Sequence, residues 1–168
     1  MSATKKSLVL NAAQVAQKIR RIAFEIYENN FSEKTLVLAG IDGQGYAFAR
    51  ILEKELKAIS SLKITLAKVS LDKLLPVQSE VTLDMPMSEM KKKCIVLIDD
   101  VLNSGRTLAY AMKPFLTIEV KRIEVAVLVN RSHTVFPIVP TYSGFALATT
   151  LTDHVEVMLG KDAAVHLR

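Results

Sequence analysis

The sequence predicts a three-layer α/β domain built on a largely parallel sheet. Three observations carry that expectation. Short, nearly uninterrupted apolar runs, Leu36-Val37-Leu38-Ala39 and Cys94-Ile95-Val96-Leu97-Ile98 among them, read as strands buried on both faces. Segments with apolar residues every three or four positions alternate with those runs. Two of the runs lead directly into short glycine-bearing loops followed by a helical pattern, which is the order of a strand–loop–helix unit.

The elements follow in order. Asn11 stands at a capping position, and Val15, Ile19, Ile22 and Ile26 recur at spacings of four and three, so residues 11–29 form an amphipathic helix. Asn29-Asn30 ends it. Residues 35–39 form a short buried strand, 40–45 a glycine-rich turn and 46–56 a helix. Residues 62–71 alternate apolar and polar like a strand. Residues 74–90 are irregular, with Pro76 and Pro86 as breakers. Residues 94–98 are the central strand and 107–115 the helix after it, with Pro114 near its end. Residues 123–129 are another buried strand, Pro137 and Pro140 bracket a rigid connection, and 155–159 is a last strand. In such a sheet, ligands sit beyond the carboxyl ends of the strands. The loops at 40–45 and 99–107 both follow strands and therefore open on one edge.

The bulk properties narrow the class. The chain has 168 residues, one domain's worth spanning 1–168. Half of the residues are hydrophobic and the mean hydropathy is +0.26. That excess points to buried parallel strands plus a subunit interface, hence a homodimer or higher homo-oligomer. No apolar run approaches the ~20 residues of a membrane span, so no membrane partner is expected. Residues 1–10 lack the apolar stretch of a signal peptide. The single cysteine, Cys94, suits a reducing, cytoplasmic compartment and reads as a buried thiol. The formal charge is +5. Lys5-Lys6, Arg20-Arg21 and Lys91-Lys92-Lys93 carry much of it, in short runs without interleaved aromatics, which read as solvated surface. Phosphorylated small molecules suit this charge, and RNA is a less favoured partner.

The chemistry concentrates in residues 94–108. Asn103, Ser104, Gly105, Arg106 and Thr107 bring backbone N–H groups and two hydroxyls to a strand–helix turn, which suits a phosphate. The same run also serves as an ordinary capped turn. Asp99 and Asp100 shift the balance. Two adjacent carboxylates ending an apolar strand repel each other and lose solvation, so they need donors or cations. A vicinal sugar diol supplies donors, and Mg2+ accepts carboxylates. A helix cap plus a salt bridge is the plainer alternative.

This segment resembles the 5-phosphoribosyl-1-pyrophosphate (PRPP) motif of type I phosphoribosyltransferases: four apolar residues, two acids, two apolar residues, a variable residue, then threonine or serine, glycine, any residue, threonine. The resemblance implies that fold, with a small hood. It also implies that Asp99 and Asp100 hold the ribose hydroxyls beside Mg2+, and that residues 103–107 cradle the 5-phosphate. Residues 101–108, together with Ala126-Val127-Leu128-Val129-Asn130-Arg131-Ser132-His133 and Phe136-Pro137-Ile138, are similar to the pyrimidine-operon attenuator and uracil phosphoribosyltransferase (PyrR) family, which typically has AVLVDRGH and then LPI. Tyr142 to Gly144, Arg21-Ile22-Ala23-Phe24-Glu25 and residues 37–49 fit as well, so the similarity covers most of the chain. It implies that Asn130, Arg131 and Ser132 border the base, read largely through backbone groups. Arg131 in a surface salt bridge and His133 as a turn residue are the plainer readings there.

Three departures stand out. The loop that grips pyrophosphate usually carries cations, whereas here it reads Asp42-Gly43-Gln44-Gly45, leaving the backbone amides of Gly43, Gln44 and Gly45 to bind the anion. The lid region, 70–80, is short and lacks arginine, with Lys73 its only cation. Basic residues expected after the histidine are replaced by Val135, Phe136 and Val139, which removes phosphate-neutralising charge from an RNA-binding surface. Asn103 stands where purine-specific relatives often carry an aspartate, and it cannot act as a general base. The expected function is transfer of the phosphoribosyl group of PRPP to a nucleobase, uracil to give UMP, with release of pyrophosphate. The alternative is an RNA-binding regulator or a nucleotide sensor with little turnover. A ligand-free scaffold is the remaining class.

Overall fold

The computed structural model describes residues 6–75, 77 and 80–168. Pro76, expected as a breaker, lies outside the described residues, as do Gln78 and Ser79 of the lid region and Lys5 of the first basic pair. The elements are β1 (Ser7–Leu10), α1 (Ala12–Asn30), β2 (Thr35–Ile41), α2 (Gln44–Ile59), β3 (Lys63–Ser70), β4 (Thr82–Leu83), β5 (Cys94–Leu102), α3 (Arg106–Ala111), β6 (Arg122–Asn130), β7 (Tyr142–Ala146), β8 (Val155–Met158) and β9 (Ala164–Leu167). Single 3-10 turns lie at Met87–Met90 and Lys113–Leu116.

The main sheet has six strands in the order β4-β3-β2-β5-β6-β7. Its pairings are parallel except that of β3 with β4. The expected three layers are present. Cys94, Val96 and Ile98 pack with α1 and α2 on one face, against Val15, Ile19, Ile22 and Leu52. Ile95 and Leu97 pack on the other face with Leu108, Ala111 and Phe115. Burial on both faces is why these strands are continuously apolar. The helix α1 starts as read from the sequence. Asn11 Oδ1 accepts from the Gln14 N–H, and Gln14 Oε1 accepts from the Asn11 N–H, each at 2.9 Å.

Several expectations need adjustment. The helix expected over 107–115 is two pieces, α3 and the 3-10 turn, because the Pro114 ring cannot continue an α-helix and lacks an N–H. The central strand runs on through Asp99 and Asp100 to Leu102, since β6 keeps pairing with it as far as Leu102 opposite Asn130. The β2 ladder stops earlier, at Gly40 opposite Ile98. Beyond Ile98 the β2 side of β5 is thus open to the loop that follows β2. The turn at 40–45 is shorter than expected: Gly40 and Ile41 belong to β2, and α2 already starts at Gln44.

Four strands had no clear signature: β1, β4, β7 and β9. Three of the short elements, β1, β9 and β8, form a separate antiparallel sheet in that order. This sheet is the small hood. At the opposite end of the main strands sits a buried polar knot. The Tyr142 hydroxyl donates to Glu124 Oε2, and Asn30 Nδ2 donates to Glu124 Oε1 at 3.0 Å. Arg122 Nη2 donates to Asn30 Oδ1 at 2.6 Å. Every member has a partner, so the knot fixes α1 against β6 and β7 and leaves the other sheet edge to function.

Candidate active site

The carboxyl ends of β2 and β5 meet at a topological switch: β3 lies on one side of β2, and β5 and β6 on the other. A cleft of about 440 Å³ opens there. Its floor is Asp99 to Leu108, Lys73 stands at one side, and His154 to Val157 of the hood line it from above. A larger groove of about 820 Å³ lies elsewhere, between α1, α2 and the turn after β8. Its floor is aliphatic, with Ala16, Ile19, Ala47 and Ile51, and no pair of adjacent acids faces it.

Asp99 is buried and Asp100 half-buried. Burial first, and the neighbouring Asp100 charge second, push the Asp99 carboxyl up to about 7, against the pull of the Lys73 ammonium. Lys73 Nζ lies 3.1 Å from Asp99 Oδ1 and 3.3 Å from Oδ2. The Asp100 N–H donates to Asp99 Oδ1 at 2.9 Å. The pair is therefore an excess of negative charge in a desolvated place, partly offset by one lysine.

The loop after β5 is shaped by Gly105. Its φ is +84°, and a Cβ there would sit 3.2 Å from Ile138 Cβ, so only glycine fits both the left-handed backbone and the space. The Ser104 carbonyl accepts from the Val135 N–H at 2.8 Å and the Phe136 N–H at 3.0 Å, which folds the segment after β6 onto the loop. The Arg106 N–H donates to Ser104 Oγ at 3.3 Å.

Arg131 ties this loop to the approach to the hood. Its Nη1 donates to Asn103 Oδ1 at 2.7 Å and its Nε to Thr149 Oγ1 at 2.9 Å. Its Nη2 donates to the Thr150 carbonyl at 3.1 Å and the Asp153 carbonyl at 2.8 Å. The planar fork of donors holds three segments at once. Ser132 has a φ of +58° and its N–H donates to Asn130 Oδ1 at 2.9 Å. A serine thus occupies a left-handed position at which the resembled pattern carries glycine.

The structure brings Asp99, Asp100, Asn103, Ser104, Gly105, Arg106 and Thr107 together around the cleft. Gly45 is buried beside it, packed on Asp99 and not part of the lining. Gly43 and Gln44 are exposed at the start of α2, and the Gly43 N–H already donates to Asp42 Oδ1 at 2.9 Å. Asn130, Arg131 and Ser132 do not line this cleft; Arg131 is joined to it through Asn103. The sequence reading missed two contributors. Lys68, in register with Gly40, brings its Nζ to 4.0 Å from Asp42 Oδ1 and 4.7 Å from the centre of the Tyr46 ring. Parallel pairing of β2 and β3 is the signal that would have found it. The other is the stretch from His154 to Val157, at the start of the four-residue strand β8, with no local signature of facing a ligand.

Among the described residues, no group of three or more His, Cys, Asp or Glu side chains forms a self-sufficient metal cage. Two adjacent carboxylates in a cleft fit Mg2+ in its usual manner, held by one or two carboxylates and completed by ligand oxygens and water. No described helix is long and apolar enough to cross a membrane.

Comparison with known proteins places these features in context. Residues 7–158 match the phosphoribosyl transferase domain. The chain is 31% identical over 166 residues to the bifunctional protein PyrR of Streptococcus uberis, covering 94% of this chain and 95% of that protein. It is 33% identical over 164 residues to the bifunctional protein PyrR of Clostridioides difficile, covering 92% of this chain and 91% of that one. Among solved structures, a hypoxanthine-guanine phosphoribosyltransferase of Bacillus anthracis superposes with a TM-score of 0.71 at 18% identity, covering 84% of this chain and 82% of its own. The hypoxanthine phosphoribosyltransferase of Trypanosoma cruzi superposes with a TM-score of 0.73 at 14% identity, covering 84% and 81%. At these identities the likeness to the solved structures is one of fold.

Proposed function

The chain belongs to the phosphoribosyltransferase family, with PyrR proteins among its relatives, and we infer that it joins the 5-phosphoribosyl group of PRPP to uracil, giving UMP and pyrophosphate. The observation that carries this reading is the adjacency of an acidic pair and an anion-binding turn in one hooded cleft. Asp99 and Asp100 receive the ribose hydroxyls. The backbone from Asn103 to Thr107, with the Ser104 and Thr107 hydroxyls, takes the 5-phosphate, and Arg106 adds positive charge beside it. Of the three amides at the start of α2, those of Gln44 and Gly45 face the pyrophosphate, because the Gly43 N–H is taken by Asp42. Asn130 and Ser132 border the base, and Arg131 holds their segment in place.

Transfer breaks the bond from the anomeric carbon to pyrophosphate and forms one to a ring nitrogen of the base, whose proton leaves to solvent. Positive charge develops on the ribose in the transition state. The buried carboxylates face that charge, and the hood excludes water, so position and electrostatics supply the catalysis. No nucleophilic side chain is needed. Asp99 and Asp100 would hold Mg2+, which would supply positive charge to the departing pyrophosphate. Uracil is favoured by the resemblance to PyrR proteins and by Asn103, which cannot accept a proton as an aspartate can. Exposed Val135 and Val139 support self-association, which sedimentation checks.

The test is an assay of labelled uracil and PRPP with Mg2+, with hypoxanthine as competitor. UMP formation is expected. In thermal melts, Asp100→Asn combined with Thr107→Ala should abolish protection by UMP while leaving the apo melt little changed. Unaltered protection overturns the assignment.

One observation favours a second reading, a nucleotide sensor with weak turnover. The carboxylate of Asp42 takes the Gly43 N–H that would otherwise meet pyrophosphate. Tight UMP binding without UMP formation selects the sensor. Retention of RNA on a filter at low salt, lost as salt rises, identifies an RNA-binding regulator.

A further inference from the structure

The ion pair between Lys73 and Asp99 has a consequence for which ligand the cleft prefers. The Asp99 side chain is 3% exposed, yet its partner is a lysine from an exposed turn, with a side chain 42% exposed. A carboxylate offers about four acceptor positions. Lys73 engages both oxygens, and the Asp100 N–H takes a further position on Oδ1. The ammonium therefore stands on the carboxylate that a sugar diol must reach. The turn that carries it closes on itself. The Leu74 N–H donates to Asp72 Oδ1 at 2.9 Å and the Leu75 N–H to the Asp72 carbonyl at 3.2 Å, while Leu74 is 92% exposed. The Lys73 side chain is long and part exposed, so its ammonium can swing from Asp99 to another anion without the turn moving.

We propose that Lys73 is a displaceable counter-ion of Asp99 that makes the cleft discriminate between ligands by what they offer the lysine once it is displaced. This rests on the reading of the cleft as a sugar-phosphate site. In the empty cleft the ammonium neutralises the buried carboxylate. An arriving ribose takes over Asp99 and releases Lys73. A ligand with a diphosphate on the anomeric carbon gives the ammonium a more highly charged anionic partner, so the lost pair is more than replaced. A nucleoside monophosphate has a neutral base at that position, so the lost pair is not replaced. Lys73 thus penalises the product and favours the substrate, which promotes release after each transfer.

The two ligands give the test opposite signs. Calorimetric binding of UMP and of PRPP, each with Mg2+, is measured on the full chain and on Lys73→Met. UMP is expected to bind about three- to tenfold tighter in the variant, and PRPP about three- to tenfold weaker. Lys73→Arg, which keeps a cation able to meet either partner, should stay near the native ratio and guards against a folding artefact. In an Asp99→Asn background, Lys73→Met should leave UMP binding unchanged. Affinities that move together, or do not move, overturn the counter-ion role while leaving the sugar-phosphate site intact. If the native chain binds neither ligand, the sugar-phosphate reading itself has failed and the proposal falls with it.

Discussion

Gly45 packs on Asp99 so closely that a methyl group added to it would lie 2.9 Å from Asp99 Oδ1 and 2.9 Å from the Ile98 carbonyl oxygen. The first residues of α2 and the acidic end of β5 are thus one packed unit. That contact exists because β2 stops pairing with β5 at Ile98, which leaves room for the start of α2 beside Asp99.

Gly45→Ala tests this unit. The contact is with backbone and a buried carboxylate, so the methyl has no flexible neighbour to push aside. The substitution is expected to cost about 1–3 kcal/mol of stability by overpacking. Displacement of Asp99 should also remove protection by UMP in a thermal melt. A variant as stable as the native chain, with normal ligand protection, rules the contact out as a constraint.

The pH dependence of stability follows from Asp99. Its folded carboxyl titrates near 7, above the ordinary 3.8, chiefly because it is buried. The folded state therefore binds this proton more tightly than the unfolded chain does. The stabilisation is fully present below the unfolded value and is lost as pH rises through about 7. Asp99→Asn removes the loss, so at pH 8 the unliganded variant should be more stable by about 1–3 kcal/mol. Urea denaturation of both proteins from pH 4 to 8 checks it. Parallel stability curves would contradict the assignment.

Much of the architecture was legible, for identifiable reasons. Strands buried on both faces, such as β5 and β6, are continuous apolar runs with no other interpretation at their length. The helix α1 announced itself through its period and its cap. The acidic pair and the turn at 103–107 are contiguous in sequence, so their partnership needed no knowledge of the fold. What escaped is what long-range pairing creates. Lys73 meets Asp99 across 26 residues, and Arg131 meets Asn103 across 28. Of the hood strands, Val155–Met158 was read from the sequence, whereas β1 and β9 are four residues long, too little for a periodic signal. The lone cation read in the lid region is the one that meets Asp99. Lys68 was hidden because its relevance depends on register with Gly40.

Arg131→Lys probes the tie between the turn and the hood. Lysine keeps the charge but lacks the planar fork that reaches Asn103, Thr149, Thr150 and Asp153 together. A loss of about 1–3 kcal/mol is expected, with faster amide hydrogen exchange concentrated in residues 149–154. Exchange unchanged in that segment would show that the tie bears no strain.

Ser132→Gly addresses a conformational cost. A serine at φ +58° occupies left-handed backbone that disfavours a side chain. Its N–H bond to Asn130 Oδ1 survives in glycine. After the entropy that glycine gains in the unfolded chain, a net stabilisation of about 0.5–1 kcal/mol is expected in urea denaturation. A destabilised variant would mean that the serine hydroxyl contributes something the backbone does not.

The roof of the cleft is stitched from distant parts of the polypeptide: Ser7–Leu10 pairs with Ala164–Leu167, which pairs with Val155–Met158. During synthesis on the ribosome, the acidic floor and its six-stranded support emerge well before the strand that joins the cover together. A nascent chain therefore leaves the acidic cleft uncovered until Ala164–Leu167 has emerged to join the two outer strands.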